Sequence, residues 1–273
     1  KDDVVISAGD LLDKGPDSVG VVARFHGLRE EGYKVVLVKG NHEEKHERFR
    51  RALAVSPKMP NFKDADKLLE ISKALSPKEV EFLDSAVLVH HLPEHNAVVV
   101  HAGIPPLLET LPTVGEMAAR GNGLKVYHDV LRLRHVTSAT KTTVNLEVEL
   151  PFEVEDEVGK PLAFPRAFLD RIDEALLLKK KITPKGSFVV LGEESPDDVF
   201  WAEKYDGRFG HAYFGHSPYA DALEPVKYDH ATALDLGCVF GGRLAAAILE
   251  EGKPTVFKMV VAAKKYASGF WEE

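Results

Sequence analysis

The sequence predicts an α/β protein whose core is a two-sheet sandwich flanked by helices. Three observations carry that expectation. Apolar, strand-like runs alternate with helical periodicity in the N-terminal part of the chain, strands follow one another directly near the C-terminus, and several runs end in glycine-containing turns that carry Asp, Asn or His. With 273 residues, 44% of them hydrophobic, the chain can bury one sizeable core, and 1–273 reads as one domain.

Taken in order, the opening DDVVISAGD places a buried strand from Asp3 to Ala8 directly before a Gly-Asp turn. Asp17 then caps an amphipathic helix over SVGVVARFHGLREEG that stops at Gly32. A second strand, Lys34 to Val38, delivers the chain to Gly40-Asn41-His42-Glu43. Helical periodicity continues to Arg51 and returns at Ala65 to Ala74 and Pro77 to Ser85. Leu88 to His91 and Ala97 to His101 form the next strand pair. From about 105 to 188 the pattern loosens into short helices, polar turns and the acidic run ELPFEVEDEVGKP, which reads as an exposed loop or hairpin in a substrate-facing insertion. The Lys179-Lys180-Lys181 run is expected at a helix end, as solvated surface. Order returns with a strand at Phe188 to Leu191, a helix near Asp197 to Lys204, and a strand at Ala212 to Phe214 that ends at Gly215-His216. Strands near Thr232 to Asp235, Arg243 to Leu249 and Thr255 to Ala262 complete the domain.

Composition excludes some classes of function. A net charge of -8 argues against broad nucleic-acid binding, which needs a basic surface that displaces counterions. The longest apolar stretches, such as Leu244 to Leu249, fall short of the roughly 20 residues that span a bilayer. A single cysteine, Cys238, permits no internal disulfide and favours a reducing, cytoplasmic setting; it is expected as a buried small hydrophobe.

Four strings carry the chemistry: GDLLDKGPDS, GNHEE, VVVHAGI and FGHS. Each sets a metal-competent side chain where an apolar strand ends in a glycine turn. A strand end is rigid and the turn beyond it is open, so side chains from neighbouring strands can converge on one point. Carboxylate, amide and imidazole together suit a divalent metal such as manganese, zinc or iron. His26, His90, His91, His95 and His211 lack this setting and are expected to be structural.

In order and wording the four strings resemble the calcineurin-like metallophosphoesterase superfamily, in particular its branch of protein phosphatases and symmetrical diadenosine tetraphosphatases. The resemblance implies a two-sheet metallophosphoesterase sandwich with two divalent metal ions. It makes Asp10 of Gly9-Asp10-Leu11-Leu12-Asp13 the carboxylate that bridges both metals, and Asn41, His101 and His216 the further ligands of the second. His42 would be the general acid beside the phosphate, kept protonated by Asp13. Asp13 alternatively acts as a turn cap before Lys14-Gly15. Lys14 stands where the family usually carries arginine and would hold a phosphate as a point charge. Arg132 and Arg134 of LRLRH, and Arg208, are further substrate-binding candidates or else structural arginines. The string ALDLGCVFGGRLAA is similar to strands behind the family's site and receives no catalytic role.

The family's first motif, Asp-x-His, has no counterpart in this sequence, so it is expected upstream of Lys1, within roughly 30 to 45 residues that add a strand and a helix. The activity implied is metal-dependent hydrolysis of a nucleotide polyphosphate or another phosphate ester or anhydride, with a phosphorylated small molecule or phosphate-terminated substrate as partner. Two alternatives stand beside it: a serine/threonine protein phosphatase, and a catalytically silent binding module of the same fold.

Overall fold

The computed structural model describes residues 3–56, 58–111, 125–146, 178–183 and 185–268. Its first element, β1 (Val4–Ser7), pairs in parallel with β2 (Lys34–Leu37) across the crossover helix α1 (Ser18–Glu30). Asp17 caps α1, its carboxylate accepting the Gly20 N–H at 2.7 Å, as the sequence predicts. β2 runs into α2 (Asn41–Val55), and α3 (Ala65–Ala74) and α4 (Pro77–Asp84) follow. Ser76 and Glu79 form the capping box that starts α4, with Pro77 at its first position.

The second sheet has five strands in the order β11-β12-β10-β4-β3. They are β3 (Val89–Leu92), β4 (Ala97–Val100), β10 (His211–Phe214), β11 (Val226–Lys227) and β12 (Ala231–Ala233). At its centre β4, β10 and β12 are parallel. The antiparallel strands β13 (Asp235–Leu236), β14 (Arg243–Ile248) and β15 (Val256–Val261) form a third sheet.

Alternation along the strands builds the layers. In β1, Val5 packs with the helices and Ile6 faces the inter-sheet cluster of Val38, Val99 and Tyr213. In β4 and β10, Val99 and Tyr213 face that cluster, while Val98, Val100, Ala212 and Phe214 face away from it toward Trp201, Leu131 and Leu133. Ala247 of β14 and Phe257 of β15 close on the same inter-sheet cluster. The expected two-sheet sandwich with flanking helices is therefore present.

The stretch from 105 to 188 departs from its reading where it is described. It contains α5 (Lys125–Arg132), the short strand β5 (His135–Val136) and the antiparallel pair β6 (Lys141–Leu146) and β7 (Leu178–Thr183). Lys179-Lys180-Lys181 is thus a strand segment paired with Val144 and its neighbours, not a helix end. The acidic run 149–161 lies outside the described residues. β5 also joins β8 (Phe188–Val189) and β9 (Val199–Phe200) in a small sheet. The helix expected near Asp197 to Lys204 is β9 followed by one 3-10 turn, Trp201–Glu203. Burial of Trp201 and pairing of Phe200 with His135 outweigh local helical periodicity there. Cys238 is half-buried, at the start of a 3-10 turn.

Candidate active site

Two pairs of parallel strands aim their C-terminal ends at one place. From the first sheet, β1 ends in Gly9-Asp10 and β2 ends in Gly40-Asn41; from the second, β4 runs into His101 and β10 into Gly215-His216. In parallel sheets such strand ends are where ligands bind. Asp10, His101 and His216 offer ligand atoms that all lie within 4.8 Å of one another. Asn41 joins them, its Oδ1 lying 3.1 Å from His101 Nε2.

Close packing makes this convergence possible. Gly9 has φ +94°, and a Cβ there would stand 2.8 Å from both the Gly40 nitrogen and His101 Nδ1. At Gly40 a Cβ would fall 2.2 Å from Asp10 Oδ1. Glu43, buried in the first turn of α2, accepts the N–H groups of Asp10 and Leu11 at 2.8 Å and of Gly40 at 2.9 Å, tying the two loops together. Burial, and then the Asp10 charge, pushes its carboxyl up. Three non-glycine site residues hold left-handed backbones, Asp10 at φ 57°, Asp13 at φ 71° and His216 at φ 67°. Such conformations cost about 1 kcal/mol or more each and persist only where surrounding contacts hold them.

Donor directions around His101 suit a cation. Its Nδ1 donates to the Ala8 carbonyl at 2.8 Å, which leaves Nε2 facing Asn41 Oδ1, His216 Nδ1 at 3.2 Å and Asp10 Oδ2 at 3.4 Å. Only positive charge, as a proton or a metal ion, satisfies such a ring of acceptors. His216 Nε2 is buried and has no hydrogen-bond partner. Burial, with His101 and Arg134 beside it, holds the His216 imidazole well below its ordinary pKa, so the ring is neutral and one of its nitrogens carries a lone pair for a metal. Burial works against charge on Asp10, but His101, with His42 and His216, more than offsets it and holds the carboxyl well below its usual range. For His101 burial lowers the pKa, and the Asp10 carboxylate more than restores it. These residues fit a divalent cation.

His42 stands at the mouth of α2, its backbone N–H donating to Asp10 Oδ1 at 3.1 Å. Its Nδ1 meets Asp13 Oδ2 at 2.6 Å and its Nε2 lies 4.0 Å from Asp10 Oδ2. Arg134 donates to the His216 carbonyl at 3.1 Å, close enough for its field to be felt by Asp10 and His216. The structure thus brings Asp10, Asp13, Asn41, His42, His101, Arg134 and His216 into one neighbourhood. Lys14 is exposed on the turn after Asp13. Arg132 gives Nη2 to the buried Glu44 at 2.7 Å, and Arg208 pairs with Asp206.

Sequence reading missed several participants. Glu43 and His46 received no role, although Glu43 sits at the third helical position, where a capping carboxylate belongs, and His46 lies one turn beyond His42. Asp235, half-buried on β13, was left behind the site. Its carboxyl, pushed up by burial, feels Asp10, His101 and Arg134.

The symmetrical bis(5'-nucleosyl)-tetraphosphatase of Shewanella sediminis is 29% identical over 257 residues, 92% of this chain and 86% of that protein. The asymmetrical bis(5'-nucleosyl)-tetraphosphatase PrpE of Oceanobacillus iheyensis is 26% identical over 246 residues, 89% of this chain and 72% of that protein. A crystal structure provisionally described as a diadenosine tetraphosphatase superposes with a TM-score of 0.53 at 22% identity, covering 95% of this chain and 80% of that one, which bears on the fold. A sequence model described as calcineurin-like phosphoesterase matches residues 1–144, more than half of the chain. That match shows that the chain belongs to the calcineurin-like phosphoesterases.

Proposed function

We propose that the protein hydrolyses a nucleotide polyphosphate, of which a bis(5'-nucleosyl) tetraphosphate is the leading example, with two divalent metal ions, one of which Asp10, Asn41, His101 and His216 would hold. The observation that carries this reading is the convergence of Asp10, Asn41, His101 and His216 beside the His42–Asp13 pair. The relatives named as tetraphosphatases support the substrate class. Manganese, zinc or iron suits the mixed oxygen and nitrogen donor set. A cytoplasmic setting is part of the proposal, supported by the lone cysteine. Among the described residues no helix is long and apolar enough to cross a membrane.

Divalent cations held there supply Lewis-acid charge to phosphoryl oxygens and lower the pKa of water. The remaining roles belong to the chain itself. His42 gives the proton at Nε2 to the departing oxygen, because Asp13 occupies Nδ1 and directs Nε2 toward Asp10. The N-terminus of α2 and Arg134 place positive potential where phosphate charge gathers. Lys14 and Arg132 are proposed as further phosphate contacts, Lys14 from the exposed turn and Arg132 by exchanging Glu44 for substrate.

The test is hydrolysis by the full-length protein of diadenosine tetraphosphate beside inorganic polyphosphate, 5'-phosphorylated RNA and a phosphopeptide panel. Two nucleoside diphosphates mark cleavage at the centre, and a triphosphate with a monophosphate marks asymmetrical cleavage. Preference for phosphopeptides would move the protein to the protein phosphatases. Metal binding without any hydrolysis would make it a binding module.

A further inference from the structure

Asp13 serves more than His42. Its Oδ2 meets His42 Nδ1 at 2.6 Å and Lys45 Nζ at 2.5 Å, while its Oδ1 faces His46 Nε2 at 2.8 Å. All three partners come from α2, and His46 follows His42 by four residues, so both imidazoles share one face of the helix. Lys45 is a quarter exposed, but His46 is 0% exposed.

The tautomer of His46 follows from its other nitrogen. Nδ1 is buried with no hydrogen-bond partner. A proton there would leave a buried donor unsatisfied, and the charged ring would do so as well, at about 1–3 kcal/mol or more. The neutral ring protonated at Nε2 avoids that cost and donates to Asp13. Burying a polar ring with one nitrogen unpartnered is unfavourable compared with an apolar side chain of similar size. What the histidine gives in return is a fixed donor at Asp13 Oδ1.

We infer that His46 is a positioning residue for the proposed reaction: its Nε2–H pins Asp13 Oδ1, so that Oδ2 is aimed at His42 Nδ1 and His42 Nε2 at the departing oxygen. Asp13 sits in a left-handed backbone, and its carboxylate can turn about Cβ–Cγ unless both oxygens are engaged. Without His46, the carboxylate can rotate toward Lys45, whose long side chain follows it, and the His42 ring loses its orientation. The inference rests on the reading of His42 as the acid that protonates the leaving group.

The experiment uses the full-length protein and a series of aryl phosphates whose phenols range from strongly to weakly acidic. Good leaving groups depart without a proton, so they report damage to everything except the acid. His46→Leu should keep its metal content and its KM but lose about tenfold in kcat on the poorest leaving group, the scale of a misplaced catalytic group, and less than about twofold on the best. His46→Gln, whose amide nitrogen reaches the place of Nε2, should stay within about twofold of wild type throughout. His46→Asn, too short to reach, should follow His46→Leu and covers the case in which the leucine variant fails to fold. Combined with His42→Asn, His46→Leu should add nothing, since it acts through His42. An equal loss across the series, an additive loss in the double variant, or no loss at all would overturn the inference while leaving His42 as the acid. If His42→Asn itself loses equally on all leaving groups, the reading of His42 falls and the inference falls with it.

Discussion

The two halves of the site are built differently. On the α2 side, carboxylates collect donors from the protein itself: Glu43 takes three backbone N–H groups, and Asp13 takes two imidazoles and an ammonium. On the β4–β10 side, backbone contacts hold the rings, His101 on Ala8 and the His216 carbonyl on Arg134, but the inward nitrogens face acceptors or nothing. The carboxylates of one half have their donors without a cation, whereas the inward nitrogens of the other would be completed by one. Asp10 belongs to both, with Oδ1 on the His42 N–H and Oδ2 toward His101. The difference separates positioning, which the fold supplies, from charge, which the proposed metal would supply.

The largest expected effect tests the incomplete half. Asp10→Asn and His101→Ala should each bring hydrolysis of an aryl phosphate to background and lower the bound metal measured by elemental analysis. Full activity with normal metal in either variant would break the comparison at its root. On the other half, His42→Asn should keep the metal and lose roughly 100-fold in kcat, with the loss shrinking for good leaving groups. Metal loss in that variant would mean that the two halves are not separable.

What the sequence discloses follows the same division. Asp10, Asn41, His101 and His216 are legible because each ends an apolar strand at a glycine turn, a local pattern that geometry turns into convergence. The Asp13–His42 pairing was foreseen through the family resemblance, and the two residues do meet. Glu43 and His46 were not singled out, since their roles depend on a loop 32 or 33 residues away in sequence being folded against α2. Strands were legible where periodicity is strong, through β4, and again at β10, β14 and β15; β11 was not foreseen, and the strand expected near Thr232 to Asp235 is divided into β12 and β13. It failed at Trp201, where packing against Phe214 and Tyr205 decides the conformation, and at Lys179 to Lys181, where strand pairing overrides a charge run.

A smaller effect sharpens the contrast through stability. With chelator present, Glu43→Gln should destabilise the protein by about 2–3 kcal/mol in denaturant unfolding, because three N–H groups, one buried and two part-buried, lose a charged acceptor and face an amide donor. His216→Ala, which removes a ring whose Nε2 is already unpartnered, should cost about 1 kcal/mol under the same conditions. Equal losses would show that the β4–β10 half is as firmly prebuilt as the α2 half.

The smallest expected effect concerns acid. Burial works against the charge on Asp13, but hydrogen bonds from His42, His46 and Lys45 more than offset it and hold its carboxyl far below the ordinary range. A carboxylate depressed in the folded state stays unprotonated there, while in the unfolded chain it takes up a proton near pH 3.8. Below that value the unfolded state binds more protons than the folded one, so acid favours unfolding. The stability that Asp13 contributes is therefore present above about pH 5 and fades as pH falls, by about 1 kcal/mol at about pH 3. Asp13→Asn cannot titrate and should lack this part of the acid dependence, although it is less stable at neutral pH because the buried His46 ring loses its carboxylate acceptor and Lys45 loses its counter-charge. Thermal unfolding of both proteins from pH 6 to pH 3, in chelator, reads the difference directly: the gap between wild type and variant should narrow as pH falls. A gap that stays constant would mean that Asp13 is not held by His42, His46 and Lys45 in solution without metal. The α2 half would then need the cation as much as its counterpart does.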